Sequence, residues 1–323
     1  MKAIRVHKFG ESDDVLQYED VPVPEPKAGE LLIKVEAASL NRADIGLRRG
    51  TYRISPDALP VIPGREFAGT VAKLGNGVNE YRIGQRVVGY PSLGGYAEYA
   101  IAKASEVRPV PDGVTSAQAA ATPTTFLTAW FGLTTDGALK SGEWLLVQGG
   151  SSGVGVAAIQ IAKHLGAKVI ATSGSEEKCR RLRKLGADVT IDVSQEDFVA
   201  AVKRATNNRG VDVILEMIGG DVFQKSLQLL APGGRLFSIG GAFGPLPDPL
   251  PTLSEGRKVT RFSITNYLKT KPEEFKQLDK ILQLVAEKKF DVGIGKSFPL
   301  AETRAAQRYL EGRDHFGKVM LTM

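Results

Sequence analysis

Cysteine is almost absent from this chain: Cys179 is the only one in 323 residues. One thiol cannot build an intrachain disulfide framework, nor a zinc site made of several cysteines. The same scarcity suits a reducing compartment, so a cytoplasmic location is expected. Long apolar runs are missing as well. The opening Met1-Lys2-Ala3-Ile4-Arg5-Val6 mixes charged with apolar residues, and no stretch approaches the ~20 apolar residues that cross a bilayer. Neither a signal peptide nor a membrane span is expected. Charge of one sign is not concentrated either. Lys+Arg exceed Asp+Glu by 42 to 36, a formal net charge of +6, but the two signs are interspersed. The densest basic run, Lys178-Cys179-Arg180-Arg181-Leu182-Arg183-Lys184, reads as a solvated helix face, so nucleic-acid binding is not expected.

What is present suits an ordinary globular protein with a core of its own, since 42% of the residues are hydrophobic and 24% charged. At about 100–200 residues per domain, two domains are expected. The first third is punctuated by glycine and carries short apolar or alternating runs such as Leu31–Val35, Phe67–Val71 and Arg86–Tyr90. These read as strands joined by tight turns. From about residue 115 the pattern changes to apolar runs alternating with helical periodicity, which predicts βαβ units around a parallel sheet. Strands are predicted at 144–148, 168–172, 189–191, 211–216, 235–239 and 259–264, with helices at 154–165, 176–185, 197–206 and 222–230. Residues 243–253 carry a proline at every second position over part of their length, which predicts an extended loop. A helix at 272–289, another at 302–310 and a final strand at 318–321 complete the reading.

The most informative segment runs from the apolar Trp144–Gln148 through Gly149-Gly150-Ser151-Ser152-Gly153-Val154-Gly155 into an apolar-periodic helix. It can be read in three ways. As a dinucleotide site, the turn brings backbone close to a pyrophosphate and offers it the N–H groups of the helix start, with serine standing at the middle glycine of Gly-x-Gly-x-x-Gly. As a hydrolase site, Gly149-Gly150-Ser151-Ser152-Gly153 matches the nucleophile elbow, with Ser151 as nucleophile; only His164 and His315 follow it. As plain structure, any tight βα turn uses glycine. The surrounding βαβ pattern favours the first. If a dinucleotide binds, the second strand bears on which one. It ends Thr172-Ser173-Gly174-Ser175-Glu176-Glu177-Lys178, without the carboxylate that holds the ribose hydroxyls of NAD. Ser173, Ser175 and Lys178 can instead receive a 2′-phosphate, so NADPH is the expected cofactor.

Along nearly its whole length the chain resembles the zinc-independent quinone oxidoreductases of the medium-chain dehydrogenase/reductase superfamily. The similarity is carried by Pro63-Gly64-Arg65-Glu66-Phe67-Ala68-Gly69-Thr70-Val71 and Gly84-Gln85-Arg86-Val87. Further matches are Ser39-Leu40-Asn41-Arg42-Ala43-Asp44, Leu127-Thr128-Ala129-Trp130, Leu229–Arg235 and Phe316-Gly317-Lys318-Val319. The resemblance implies an α/β protein with a GroES-like β-rich catalytic domain, residues 1–124 and 266–323, and a Rossmann NADPH-binding domain of doubly wound parallel sheet, residues 125–265. Zinc-dependent relatives place ligands where Asn41, Arg65 and Thr124 stand here, so no metal is implied. By the same carry-over Asn41 and Thr128 lie beside the nicotinamide, and Ser152, Gly153, Val154 and Gly155 line the pyrophosphate. Gly240, Gly241 and Phe243 flank the nicotinamide ribose, and Phe316 and Lys318 approach the cofactor. The implied reaction is hydride transfer from NADPH to a quinone or an α,β-unsaturated carbonyl, with Asn41, Tyr52 and Thr128 as hydrogen-bonding catalytic residues and a homodimer as the implied assembly. A 2-enoyl thioester reductase of the same fold is the alternative. From other classes stand a serine hydrolase using Ser151 and a cofactor-binding protein with a non-catalytic role.

Overall fold

A computed structural model describes every residue except Ser12, Tyr52, Arg53, Gly241, Ala242 and Phe243. The chain divides into two compact units, one comprising Met1–Pro123 with Phe275–Met323 and the other Thr124–Glu274. The first unit begins with β1 (Lys2–Val6) and β2 (Leu16–Asp20), which pair antiparallel. The long β3 (Glu30–Ser39) follows, then β4 (Phe67–Leu74), β5 (Arg86–Gly89), β6 (Tyr99–Lys103) and β7 (Val107–Pro109). β3 alternates buried and exposed residues over Lys34–Ala37, as a strand with one face on a core must. One α-helix interrupts this β-rich stretch among the described residues. α1 (Arg42–Arg49) starts at Asn41 and stops at Gly50, whose left-handed φ of 73° ends the helix. Its short sequence contains a glycine and little apolar periodicity, which is why glycine punctuation alone pointed to strands only.

α2 (Ser116–Ala121) and α3 (Pro123–Phe131) follow. Neither was predicted, although Thr115 and Gln118 form the capping box that announces α2. The second unit then builds its parallel sheet from β8 (Trp144–Val147), β9 (Lys168–Ser173), β10 (Val189–Asp192), β11 (Val211–Glu216), β12 (Leu230–Ser238) and β13 (Lys258–Arg261). The helices α4 (Gly153–His164), α5 (Glu176–Lys184), α6 (Phe198–Ala205) and α7 (Gly220–Leu227) alternate with the strands from β8 to β12, and α8 (Ile264–Thr270) follows β13. Every residue of β11 is buried, as expected for a strand covered on both faces. Burying a side chain such as Ile214 or Leu215 contributes roughly 1.5–3 kcal/mol each. Strand order is β10-β9-β8-β11-β12-β13. The order reverses between β8 and β11, and in such sheets ligands bind outside the carboxyl ends at that reversal.

The strand predicted at 259–264 is shorter. Ser263 caps α8 through the Asn266 N–H at 3.4 Å, so Ile264 is already helical. The helix predicted at 272–289 opens as a tighter 3₁₀ turn, Pro272–Lys276, before α9 (Gln277–Ala286). Residues 244–253 carry neither helix nor strand. The chain closes in the first unit with β14 (Ile294–Pro299), α10 (Thr303–Glu311) and β15 (Lys318–Thr322). β15 pairs with β3, giving a sheet of order β14-β15-β3-β4-β5-β7 with β6 also on β3. Its core gathers Leu31, Ile33, Val35, Phe67, Val87, Tyr96, Val319 and Leu321. No helix among the described residues is long and apolar enough to cross a membrane.

Candidate active site

The glycine turn of the second unit is held by a chain of buried polar contacts. Gly149 N–H donates to Thr172 Oγ1 at 3.0 Å, and Thr172 Oγ1 donates to Gln148 Oε1 at 2.8 Å. Gln148 Nε2 in turn donates to Ser226 Oγ at 3.0 Å. Thr172 is thereby committed to the turn. Ser152 caps α4 by accepting the Gly155 N–H at 3.1 Å, while the N–H groups of Gly153 and Val154 lie in the first turn, where no intrahelical acceptor exists. A Cβ on Gly155 would stand 2.6 Å from both Gly149 O and Gly150 O, so only glycine lets the helix start against the turn. Such a helix start presents N–H donors and the positive end of the helix dipole to an anion.

At the end of β9, Ser173 is buried and its hydroxyl has no partner among the described residues. Ser175 caps α5 through the Lys178 N–H at 3.4 Å. An unanticipated acid stands at the end of β11. Glu216 is fully buried and accepts the Ile218 and Gly219 N–H groups at 2.7 and 2.9 Å, with the Ser238 hydroxyl at 3.3 Å. Burial pushes its carboxyl above the usual carboxylate range, against those three donors. It fixes the loop into α7 and ties β11 to β12; Gly-Gly after a strand end was the only signal for that turn. Gly240, just after β12, has φ 134°, which favours glycine, and a Cβ there would meet nothing within 4 Å.

Ser151 is absent from the non-glycine residues with positive φ among those described, so the turn lacks the strained nucleophile of a hydrolase elbow. His164 is the last residue of the twelve-residue α4, about 16 Å along the axis from the turn at 1.5 Å per residue.

In the first unit a second polar cluster forms where β3 ends and β4 and β15 begin. Lys318 Nζ is buried and donates to Leu40 O at 2.8 Å, Asn41 Oδ1 at 2.8 Å and Glu66 Oε1 at 2.9 Å. Glu66 Oε1 also accepts from Asn41 Nδ2 at 2.8 Å and from the Ser39 hydroxyl. Lys318, which the resemblance sets near the cofactor, has three acceptors for its three protons inside the protein. The Asn41 backbone N–H donates to Asp44 Oδ2 at 2.8 Å, and the Tyr96 hydroxyl donates to the same oxygen at 2.7 Å. The Arg65 guanidinium lies 5.1 Å over the Tyr90 ring.

Asp44 is fully enclosed. Burial raises its pKa, outweighing the Tyr96 hydroxyl, the Asn41 N–H and the nearby cations Arg65 and Lys318. A raised folded-state pKa means the fold binds this proton more readily than the unfolded chain does. Stability from this group therefore grows as pH falls through the folded pKa and is lost above it. Asp44→Asn copies the neutral form and keeps an oxygen for both hydrogen bonds. We expect D44N to melt at or above the parent's temperature at pH 7, with the gap closing as pH falls into the carboxylate range. Thermal melts at several pH values check this; a gap that widens on acidification would contradict it.

Of the other residues singled out by sequence, Thr128 is buried within α3 and Phe316 is buried just before β15. Tyr52, Gly241 and Phe243 lie outside the described residues. Cys179 is buried, and burial raises its thiol pKa. No group of three or more His, Cys, Asp or Glu side chains among the described residues is placed to hold a metal ion.

Residues 27–112 match the alcohol dehydrogenase GroES-like domain, and residues 153–284 match the zinc-binding dehydrogenase family. The quinone oxidoreductase of Sus scrofa is 35% identical over 100% of this chain and 98% of its own length. The structure of the Escherichia coli quinone oxidoreductase complexed with NADPH superposes with a TM-score of 0.91 at 30% identity, covering 100% of both chains. A segment of a phenolphthiocerol/phthiocerol polyketide synthase polypeptide of Mycobacterium tuberculosis is 32% identical over 96% of this chain, which spans 14% of that protein. With the GroES-like and Rossmann sheets in place and full-length identity at this level, the chain belongs to the quinone oxidoreductase branch of the medium-chain dehydrogenase/reductase superfamily.

Proposed function

We propose that this protein is an NADPH-dependent reductase that delivers hydride to a quinone or to a C=C bond conjugated to a carbonyl, without a metal. The observation that carries this reading is the end of β9, where a buried serine hydroxyl with no partner among the described residues stands in the place of the carboxylate of an NAD site. Ser173, Ser175 and Lys178 take the 2′-phosphate, whose extra charge a carboxylate there would repel. Ser152, Gly153, Val154 and Gly155 hold the pyrophosphate at the start of α4. Gly240, with Gly241 and Phe243, flanks the nicotinamide ribose. The NADPH held by the Escherichia coli relative supports the same choice.

NADPH supplies hydride from C4 of its nicotinamide. The residues supply orientation and hydrogen bonds to the oxygen that gains charge, the roles assigned to Asn41, Thr128 and Tyr52; Phe316 packs at the cofactor. Solvent supplies the proton that completes reduction. The donor set does not fit catalytic zinc. The Asn41 amide is engaged by Lys318 and Glu66, Arg65 has no lone pair to give, and Thr124 offers only a hydroxyl. A second acceptor class for the same fold is the 2-enoyl thioester.

NADPH oxidation with an ortho-quinone and an enone in parallel, with NADH as control and a chelator present, tests the reading. Chelator-resistant turnover that prefers NADPH is expected. Turnover of the enone alone selects the enoyl reductase. Failure to bind NADPH in a fluorescence titration would sink the reading, and labelling of Ser151 by a phosphonate probe would then favour the hydrolase.

A further inference from the structure

Three segments distant in sequence meet in the first unit around one ammonium group. β15 pairs antiparallel with β3, with Met320 opposite Ser39, and Leu40 N–H donates to Val319 O at 2.9 Å. This pairing brings Lys318 against the point where the chain leaves β3 for α1. Glu66 arrives from the residue before β4, where Ser39 N–H donates to its carbonyl at 3.2 Å. Lys318 is 3% exposed and Glu66 0%.

The two ions constrain the amide between them. An ammonium has three protons and no acceptor; a carboxylate has acceptors and no proton. Asn41 therefore has one workable orientation, Oδ1 on Lys318 and Nδ2 on Glu66, both at 2.8 Å. The reverse would set amide protons against the ammonium and amide oxygen against the carboxylate, leaving buried groups unsatisfied. Asp44 takes the Asn41 backbone N–H, so the start of α1 is fixed without moving that side chain. The second Nδ2 proton of Asn41 has no partner among the described residues, and Asn41 is only half-buried. The ammonium on Oδ1 also polarises the amide, which strengthens that remaining N–H as a donor.

We propose that Lys318, together with Glu66, is a positioning residue that locks Asn41 as a hydrogen-bond donor to an oxygen acceptor of the bound ligand. The inference rests on Asn41 being a site residue of the proposed reductase. The acceptor is an oxygen with no proton to return, either the carbonyl of the electron acceptor or an oxygen at the nicotinamide end of the cofactor. Neither Lys318 nor Glu66 touches the ligand itself.

A double-mutant cycle tests it, with Glu66→Gln in every member so that no buried carboxylate is stranded. Against the E66Q reference, adding K318M is expected to lower kcat/KM about tenfold, the loss of one well-aimed hydrogen bond. With N41A also present, the same K318M change is expected to cost less than twofold. An equal loss in both backgrounds would overturn the proposal, because Lys318 would then act without Asn41. Titration of NADPH separates the two sources: weaker binding places the acceptor oxygen on the cofactor, and unchanged binding with lower turnover places it on the substrate.

Thermal melts show which members fold. If K318M does not fold even beside E66Q, the native protein decides. The side-chain amide resonance of Asn41, assigned by its loss in N41A, is expected to shift on adding NADPH or an unreactive enone analogue, and no shift with either overturns the proposal. The native chain's own turnover separates the two levels. A native protein that neither binds NADPH nor reduces an acceptor removes the reductase reading and this one with it. An active native protein with an additive cycle removes only the positioning role.

Discussion

Lys318→Met, made alone, destabilises the first unit by about 3–5 kcal/mol. Its side chain is 4% exposed and that of its partner, Glu66, 0%. Removing the cation leaves a fully buried carboxylate, beside the Ser39 hydroxyl and the Asn41 amide, without the ammonium that it pairs with. An ion stranded in this way costs far more than the pair contributes when intact, because the attraction is lost while the desolvation remains. Leu40 O and Asn41 Oδ1 also lose the donor they share. At about 2–4 °C per kcal/mol for a unit of this size, the midpoint falls by roughly 6–20 °C. Adding Glu66→Gln removes the stranded charge and should recover more than half of the loss, since a neutral amide can accept the same protons. A K318M protein that melts with the parent would mean that the cluster is hydrated in solution. A double variant no better than K318M would mean that lost packing, not charge, sets the cost.

The run from β8 to β13 in the second unit was legible in the sequence almost element by element, and the reason is local. β8, its glycine turn and α4 lie within about twenty consecutive residues, so periodicity and turn chemistry announce them together. The strand-end carboxylate missing after β9 is equally local. The cluster at Lys318 is the opposite case. Its hydrogen bonds join residues 252 and 277 positions apart, and only the pairing of β15 with β3 brings them together. Resemblance placed Lys318 near the cofactor, but no spacing rule could say that all three of its protons would be spent inside the fold. Glu216 was missed for a related reason: in sequence it is simply the last residue of a strand, and its role appears only when the backbone turns back to offer it Ile218 and Gly219. α2 and α3 escaped because their alanine- and threonine-rich stretch has no polar face to set a period.

Ser173→Asp should invert the preference between the two nicotinamide cofactors. The β9 backbone at this position is fixed on both sides: Ser173 is paired with Asp192, and its carbonyl accepts the Val193 N–H at 2.9 Å. A new carboxylate there would replace a buried hydroxyl that has no partner among the described residues. Beyond it Gly174 leaves open space, since a Cβ added there would meet nothing within 4 Å. In the proposed binding mode the 2′-phosphate, carrying about −1.5 to −2 charges near neutral pH, would meet this carboxylate directly. Two like unit charges 4 Å apart repel by about 4 kcal/mol at an effective dielectric of 20. Solvent and side-chain adjustment reduce that, and a net loss of about 100-fold in NADPH affinity is expected. NADH lacks the phosphate, and its ribose hydroxyls gain an acceptor, so its affinity should hold or improve. Turnover at saturating cofactor should stay within about threefold, because the change is remote from the nicotinamide. Fluorescence titration of both cofactors against S173D and its parent decides the matter. Equal losses for both would show a damaged sheet edge, and an unchanged NADPH affinity would place the 2′-phosphate somewhere other than the end of β9.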